Sequence, residues 1–389
     1  MISEINKQKW EEKTLDEVCT FSRGLTYSKK DEVDVSNNVV LRANNIDLVS
    51  NTLNLEELKY INDNILIPED KKVKENSIIM CISSGSKSHL GKVAFIDKNY
   101  GYAFGGFMGL IIPKENIIPR FLYYMLITPA FKDRILHLTD GANINNLKYS
   151  DLKDFILNIP PLSEQQRIVG ILDEVFENIE KAKQNTLQNL NNAKELFDNN
   201  LYNLFTKGTE LWKKDSLHNI CEKISAGGDK PEVFSETKTT ECNIPIYSNG
   251  IKDNGLYGYT NKPTIDKPAI TISARGTIGF VCKRLEPYCP IVRLISLIPK
   301  DYIDLSFLAY AMSFVIPKNT GTSIPQLTVP NLKNSIVKYP SLEEQQKIVQ
   351  QLDELQGQTK KLEQIYTQKL QDLDELKQSI LQKTFNGEL

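Results

Sequence analysis

The chain has 389 residues, a formal net charge of −2 and ordinary proportions of apolar and charged side chains, a composition with room for two or three domains with proper cores. No apolar run is long enough for a membrane span, and the opening M-I-S-E-I-N-K-Q-K-W lacks the apolar core of a signal peptide, so a cytoplasmic protein with no membrane partner is expected. Near-zero charge argues against a free-standing nucleic-acid binder, and six cysteines without a C-x-x-C pair argue against a zinc site or a disulfide framework.

The first globular segment opens at Trp10 with W-E-E-K-T-L-D-E-V-C. Residues 77–82, 92–96 and 107–112 are short, apolar and bounded by Gly or Pro, which predicts strands. Residues 120–126 and 130–138 have helical spacing. Glu69-Asp70-Lys71 has the carboxylate–x–lysine order of nucleases but no partner acid nearby, so it reads as a charged turn. Asn158-Ile159-Pro160-Pro161 falls short of the N-P-P-aromatic motif of amino-methyltransferases and reads as a helix lead-in.

From residue 159 the chain runs I-P-P-L-S-E-Q-Q-R-I-V-G-I-L-D-E-V, and from 339 it runs Y-P-S-L-E-E-Q-Q-K-I-V-Q-Q-L-D-E-L. The two share P-x-L-x-E-Q-Q-x-I-V-x-x-L-D-E at an offset of 180 residues, too long for a solenoid and right for two copies of one domain-sized unit. Each copy begins a helix. Ser163 with Gln166 has capping-box spacing in the first, and Ser341 with Glu344 in the second. Beyond the start, Leu172, Phe176, Ile179, Lys183, Thr186, Leu190, Ala193 and Phe197 step by threes and fours. Leu355, Thr359, Leu362, Tyr366, Lys369, Leu373, Leu376 and Ile380 do the same. Two heptad seams of matched length predict two long helices, the first over residues 163 to about 205, packed as an antiparallel coiled coil.

The repeat extends outside the helices. Trp212 opens W-K-K-D-S-L-H-N-I-C, so that Leu15 and Cys19 recur as Leu217 and Cys221. Residues 269–273, 278–282 and 294–298 are expected strands, and 305–315 a helix. Gly141, Leu147, Leu152 and Ile156 recur as Gly321, Leu327, Leu332 and Ile336. The expected fold is therefore α+β: two tandem α/β domains (1–158 and 209–338) separated by two long spacer helices (159–208 and 339–389), with a pseudo-two-fold relationship. Two similar modules at the ends of a rigid spacer suit a duplex read at two separated places.

No nucleotide-binding or metalloprotease motif occurs, so no catalytic residue and no metal site is assigned. Residues 209–338 hold sixteen Lys and Arg against twelve Asp and Glu, while both helical regions are acidic. A partner is then expected to supply part of any phosphate contact. Ser84, Gly85, Ser86, Lys87, Ser88 and His89 follow an apolar strand, and Arg275 and Thr277 hold the equivalent place in the second segment. Small residues let backbone approach a phosphate, and hydroxyls and cations contact its oxygens; a plain turn would read the same way. Asn249, Lys252, Asn254 and Tyr257 lie in an Asn-, Gly- and Tyr-rich loop, suited to reading base edges and equally to making turns. Asn145, Asn146 and Gln326 are amides at matched positions before the closing leucines.

Two copies of L-x-E-Q-Q-(R/K)-I-V-x-x-L-D, each following a globular segment and opening a long helix, resemble the specificity subunit of Type I restriction-modification systems. The resemblance runs from Trp10 to the closing F-N-G-E-L. It implies two target-recognition domains that bind double-stranded DNA at a bipartite, asymmetric target, and no active site in this chain. It implies two modification (methyltransferase) subunits on the helices, carrying S-adenosylmethionine, and ATP-dependent restriction subunits (translocase and nuclease) that use ATP and Mg. Gln165, Gln166, Leu172 and Leu190 on the first helix, with Gln345, Gln346, Leu352 and Leu373 on the second, are the candidate subunit-interface residues. A recognition module of a Type IIB or other phage-defence complex is a neighbouring reading, and a coiled-coil scaffold protein a more distant one.

Overall fold

The structure, a computed structural model, describes residues 10–139, 146–316 and 327–388. The chain divides into two compact units, Met1–Thr186 with Lys369–Leu389, and Leu187–Gln368.

In the first unit β1 (Glu11–Thr14), the single-turn α1 (Leu15–Val18) and β2 (Cys19–Arg23) lead into β3 (Glu32–Val33), β4 (Asn38–Leu41) and β5 (Lys59–Ile61). There follow β6 (Ser77–Cys81), β7 (Val93–Ile96), β8 (Ala103–Phe104), β9 (Met108–Pro113), α2 (Pro119–Leu126), α3 (Pro129–Thr139), α4 (Tyr149–Leu152) and β10 (Ile156–Ile159). These deliver the chain to the long helix α5 (Leu162–Thr206). The strands form an antiparallel sheet in the order β2-β9-β6-β7, a second sheet β3-β5-β4-β8 with a parallel β4–β8 pair, and a ribbon of β1 with β10. β6 is buried from end to end, and from Ile78 onward it reads as an unbroken apolar run. Its alternation still sorts the side chains. Ile78 and Met80 enter the core under α2 and α3, while Ile79 and Cys81 enter the core on the other face with Leu41 and Phe104. Each such burial contributes about 1.5–3 kcal/mol.

The second unit repeats the plan. It has β11 (Lys213–Ser216), α6 (Leu217–Ile220), β12 (Cys221–Ala226), β13 (Ile244–Tyr247), β14 (Leu256–Thr260), β15 (Ala269–Ile272), β16 (Val281–Arg284), β17 (Cys289–Pro290) and β18 (Ile295–Pro299). Then come α7 (Leu305–Val315), α8 (Val329–Lys333), β19 (Ile336–Tyr339) and the long helix α9 (Leu342–Asn386). Its sheets are β12-β18-β15-β16, β14-β13-β17 and the ribbon β11-β19. Leu15, Cys19, Leu217 and Cys221, matched in sequence, occupy matched buried places at the root of each unit. One expected strand is displaced. Residues 278–280 are turn rather than strand, because Gly276 and Gly279 take positive φ and Gly279 N–H bonds back to the Ser273 carbonyl at 3.0 Å, so β16 starts at Val281.

α5 and α9 pack antiparallel. Within the first unit Lys183 Nζ meets Asp374 Oδ1 at 2.7 Å, Lys377 Nζ lies 5.1 Å from the Phe176 ring centre, and Leu172 shares a core with Leu381. Within the second, Leu201 and Phe205 share a core with Ile348 and Leu352. The first seam is as expected, every position from Leu172 to Phe197 being buried or half-buried. The second is shifted in its last turns. Lys369 and Leu376 face solvent, and Leu370, Lys377 and Thr384 hold the inner positions beside Leu373 and Ile380. The Lys183–Asp374 pair and the Lys377–Phe176 contact lie in these same turns. The helix starts also differ. Ser163 is inside the first turn of α5 and exposed, so no capping box forms there, whereas Ser341 Oγ does accept the Glu344 N–H, at 3.3 Å.

Candidate nucleic-acid interface

The repeated motif is the first thing the geometry explains. α2 begins at Pro119 with Ile118 as its cap, a residue that has no side-chain acceptor to offer. Gln165 closes that end: its Oε1 accepts the Ile118 N–H at 2.7 Å and its Nε2 donates to the Pro160 carbonyl at 2.9 Å. Gln345 repeats the arrangement, accepting the Asp304 N–H at 2.8 Å and donating to the Tyr302 and Pro340 carbonyls at 3.1 and 3.0 Å. Tyr124 donates its hydroxyl to Asp173, and Tyr310 does the same to Asp353. Burial, and then the carboxylate, push both phenols well above the ordinary tyrosine value, so they remain donors. The E-Q-Q…L-D pattern is thus a clamp that holds a globular segment on its long helix. This corrects part of the subunit-interface expectation. Gln165, Gln345, Leu172 and Leu352 are at most 2% exposed and are occupied by their own unit. Gln166 and Gln346 are exposed, and Leu190 and Leu373 are half-buried.

In the first unit the loop 83–89 leaves β6 and ends in a short 3-10 turn, Lys87–His89. Ser83 pairs with Asn146 in an isolated antiparallel bridge, and the Leu147 N–H donates to the Ile82 carbonyl at 2.7 Å. The structure therefore brings two separately expected clusters together, Ser84 to His89 and Asn146. Ser84 Oγ accepts the Ser86 N–H at 3.2 Å, and the Ser86 and Ser88 hydroxyls are 2.9 Å apart. Space lies open before Gly85, where a Cβ would meet nothing within 4 Å. Asn145 and Gln326 lie outside the described residues.

Beside this loop is a cleft of about 640 Å³ whose walls include Arg23, Lys29, Arg42, Ser84 and Phe107. Its lining holds three cations against one acid, Glu32, a balance that suits a phosphate backbone. Tyr27, also in the wall, has its phenol raised by burial and then by Glu32, so it stays neutral. Arg23, Arg42 and Phe107 are unmarked in the sequence because each sits at a strand end with no local motif. The F-G-G-F at 104–107 was the only signal available.

In the second unit the corresponding loop is drawn in by Asn249. Its Nδ2 donates to the Val292 carbonyl at 2.7 Å and its Oδ1 accepts the Ala274 N–H at 2.8 Å. This amide braces two backbone segments, with one hydrogen bond at each of its polar ends. Through it the segment holding Arg275 and Thr277 is joined to the turn at 291–294. Lys252, Asn254 and Tyr257 are exposed. Asp253 and Asn254 adopt left-handed φ of 49° and 53°. Arg284, buried and absent from the sequence expectations, holds them by donating from Nη2 to the Asn254 carbonyl at 2.6 Å while its guanidinium lies 3.5 Å from the Tyr247 ring centre. Tyr257 packs on Phe234, over which Lys230 Nζ sits at 3.4 Å.

One tip recurs in both units. β8 runs parallel to β4 and ends in the turn 105–108, and β17 runs parallel to β13 and ends in the turn 291–294. Each is closed by a backbone bond, Met108 N–H to the Gly105 carbonyl at 2.8 Å and Leu294 N–H to the Ile291 carbonyl at 3.0 Å. A glycine lies against each: a Cβ on Gly24 would fall 2.0 Å from the Gly105 oxygen, and one on Gly227 would fall 2.5 Å from Pro290 carbon. The scaffold is the same; the side chains it presents are not.

Residues 7–189 and 209–371 each match the family described as Type I restriction modification DNA specificity domain. The chain is 30% identical over 258 residues to a putative type I specificity subunit of Mycoplasma pneumoniae, covering 63% of this chain and 75% of that one. It is 25% identical over 410 residues to the Escherichia coli Type I restriction enzyme EcoKI specificity subunit, covering 96% and 87%. Its fold matches a chain from a solved structure of type I restriction-modification complex assembly with a TM-score of 0.79 at 20% identity, covering 98% of this chain and 99% of that one. The HsdS subunit of Thermoanaerobacter tengcongensis matches with a TM-score of 0.64, also at 20% identity, covering 98% of each chain. The chain belongs to the Type I restriction-modification DNA specificity family. Its role is DNA sequence recognition within such a system. Among the described residues, no helix is long and apolar enough to cross a membrane.

Proposed function

We propose that the chain reads a bipartite, asymmetric DNA target, one half through residues 1–158 and the other through 209–338. In that reading it directs adenine methylation or cleavage by partner subunits and works in the cytoplasm, where the DNA is. The observation that carries the reading is the duplicated tip-and-loop scaffold, which presents different side chains in the two units. The loop Ser84 to His89 with Asn146, and the group Lys252, Asn254, Tyr257, Arg275 and Thr277, are the proposed DNA contacts. Arg23, Lys29 and Arg42 join them in the first unit. Gln166, Gln346 and the exposed flanks of 159–208 and 339–389 are the proposed seats of two modification subunits. Those subunits would bring S-adenosylmethionine, and restriction subunits would bring ATP and Mg. The recognition chain then contributes binding and no covalent step.

The test is a chimera in which residues 212–338 are replaced by the corresponding segment of a related specificity chain, co-expressed with the methyltransferase. Base-resolution sequencing of adenine methylation is expected to show one half of the target changed and the other half retained. Contacts to separated bases contribute roughly independently, at about 1–3 kcal/mol per mismatched pair. Both halves changing, or neither, rejects the proposal.

A further inference from the structure

The tips at 105–108 and 291–294 carry more than shared geometry. In the first, the Phe107 carbonyl accepts the Ile82 and Ser83 N–H groups at 3.0 and 3.1 Å, which ties the tip to the loop 83–89. Arg23 Nε donates to the Gly106 carbonyl at 3.4 Å. In the second, the Val292 and Arg293 N–H groups donate to the Gly228 and Gly227 carbonyls at 2.8 and 2.9 Å, and Asn249 takes the Val292 carbonyl. The tip main chain is therefore largely spent on anchoring. What is left to meet another molecule is the side chain: Phe107, 69% exposed, in one unit, and exposed Arg293 in the other.

An exposed phenylalanine beside three cations is ill-suited to free solvent. The second tip is stranger. Val292 and Arg293 both lie in the left-handed region, at φ 52° and 61°, and a β-branched residue there is a true outlier. Such a conformation persists only when the surroundings over-determine it, and it clusters at binding sites. Here three hydrogen bonds and the close glycine contact over-determine it. The consequence is that Arg293 is aimed outward from a rigid support.

We infer that the two tip residues are the specificity-determining base contacts of the two units, resting on the proposal above that each unit reads one half-site. Phe107 supplies an apolar contact to a thymine methyl group, and Arg293 a bidentate contact to the O6 and N7 of a guanine. The adjoining hydroxyl- and cation-bearing loops hold phosphates and set register. Phosphate contacts position a protein on a duplex, whereas base-edge contacts specify sequence.

The experiment is base-resolution adenine methylation in cells carrying the methyltransferase with the full-length chain, wild type or variant. Phe107→Ala should relax one thymine-bearing position in one half of the target. Arg293→Ala should relax one guanine-bearing position in the other half, and Arg293→Gln should move that position towards adenine, as a glutamine amide pairs with adenine N6 and N7. The Gln variant keeps the result decisive, because a redirected preference cannot come from misfolding. An even fall in methylation at all sites, an unchanged target, or relaxation by both variants in the same half overturns the inference. A wild-type chain that directs no two-part target would instead overturn the broader reading.

Discussion

The side-chain oxygen of Gln165 accepts the backbone N–H of Ile118 at 2.7 Å, and Gln345 does the same for Asp304 at 2.8 Å. Each long helix thereby completes the N-terminus of the short helix packed on it, so the start of the spacer and the core of the globular segment are one structural element.

Gln165→Ala is therefore expected to strand the Ile118 N–H and the Pro160 carbonyl in the core, at a cost of about 1–3 kcal/mol. The neighbouring Gln166→Ala, on the exposed side, should stay within about 0.5 kcal/mol. Urea unfolding of the two variants separates them; equal effects would show that the clamp carries no weight.

The second seam makes an opposite pair of predictions for adjacent turns of α9. Leu381 is fully buried and Leu376 is 46% exposed. Leu381→Ala should cost about 2–5 kcal/mol through the cavity it leaves, whereas Leu376→Asp should be tolerated within about 0.5 kcal/mol. Thermal unfolding decides it, and a collapse caused by Leu376→Asp would restore the regular heptad that the residue spacing predicts.

Asn249→Ala should loosen the second unit without redirecting it. Losing both bonds to backbone costs about 1–3 kcal/mol, read as an earlier thermal transition. In methylation sequencing the target motif should be unchanged while the fraction of sites modified falls evenly. A change of motif would make Asn249 a base reader after all.

The thiols give a chemical check on the fold. Burial pushes Cys19 and Cys221 up to about 12, so at pH 8 only about one in ten thousand of either is thiolate. Cys282 is half-exposed. A thiol reagent at pH 8 should label Cys282 first and reach Cys19 and Cys221 only on unfolding, with mass spectrometry of the digests giving the order.

The duplicated plan is legible in the order of residues, because buried periodicity is a local property. Leu15 with Cys19 and Leu217 with Cys221 mark matched cores, and the P-x-L-x-E-Q-Q stretch marks where each long helix begins. Strands such as β6 were legible because Ile78 to Cys81 form an apolar run, and α5 because its seam is regular over many turns. Helix α9 was legible in extent but not in its final register, since the Lys183–Asp374 pair and the Lys377–Phe176 contact join residues far apart in the chain. Tertiary structure alone decided what the polar residues do. Gln165, Gln345 and Asn249 look like surface recognition amides in one dimension, and each is consumed by backbone groups brought to it from 25 to 47 residues away. Arg293 carries no motif, and Phe107 only the F-G-G-F at 104–107. They become candidates only because parallel pairing of β8 with β4, and of β17 with β13, puts two unlike side chains on the same anchored turn. Hydrogen bonds between distant segments are invisible to periodicity, so the scaffold could be read and its working surface could not.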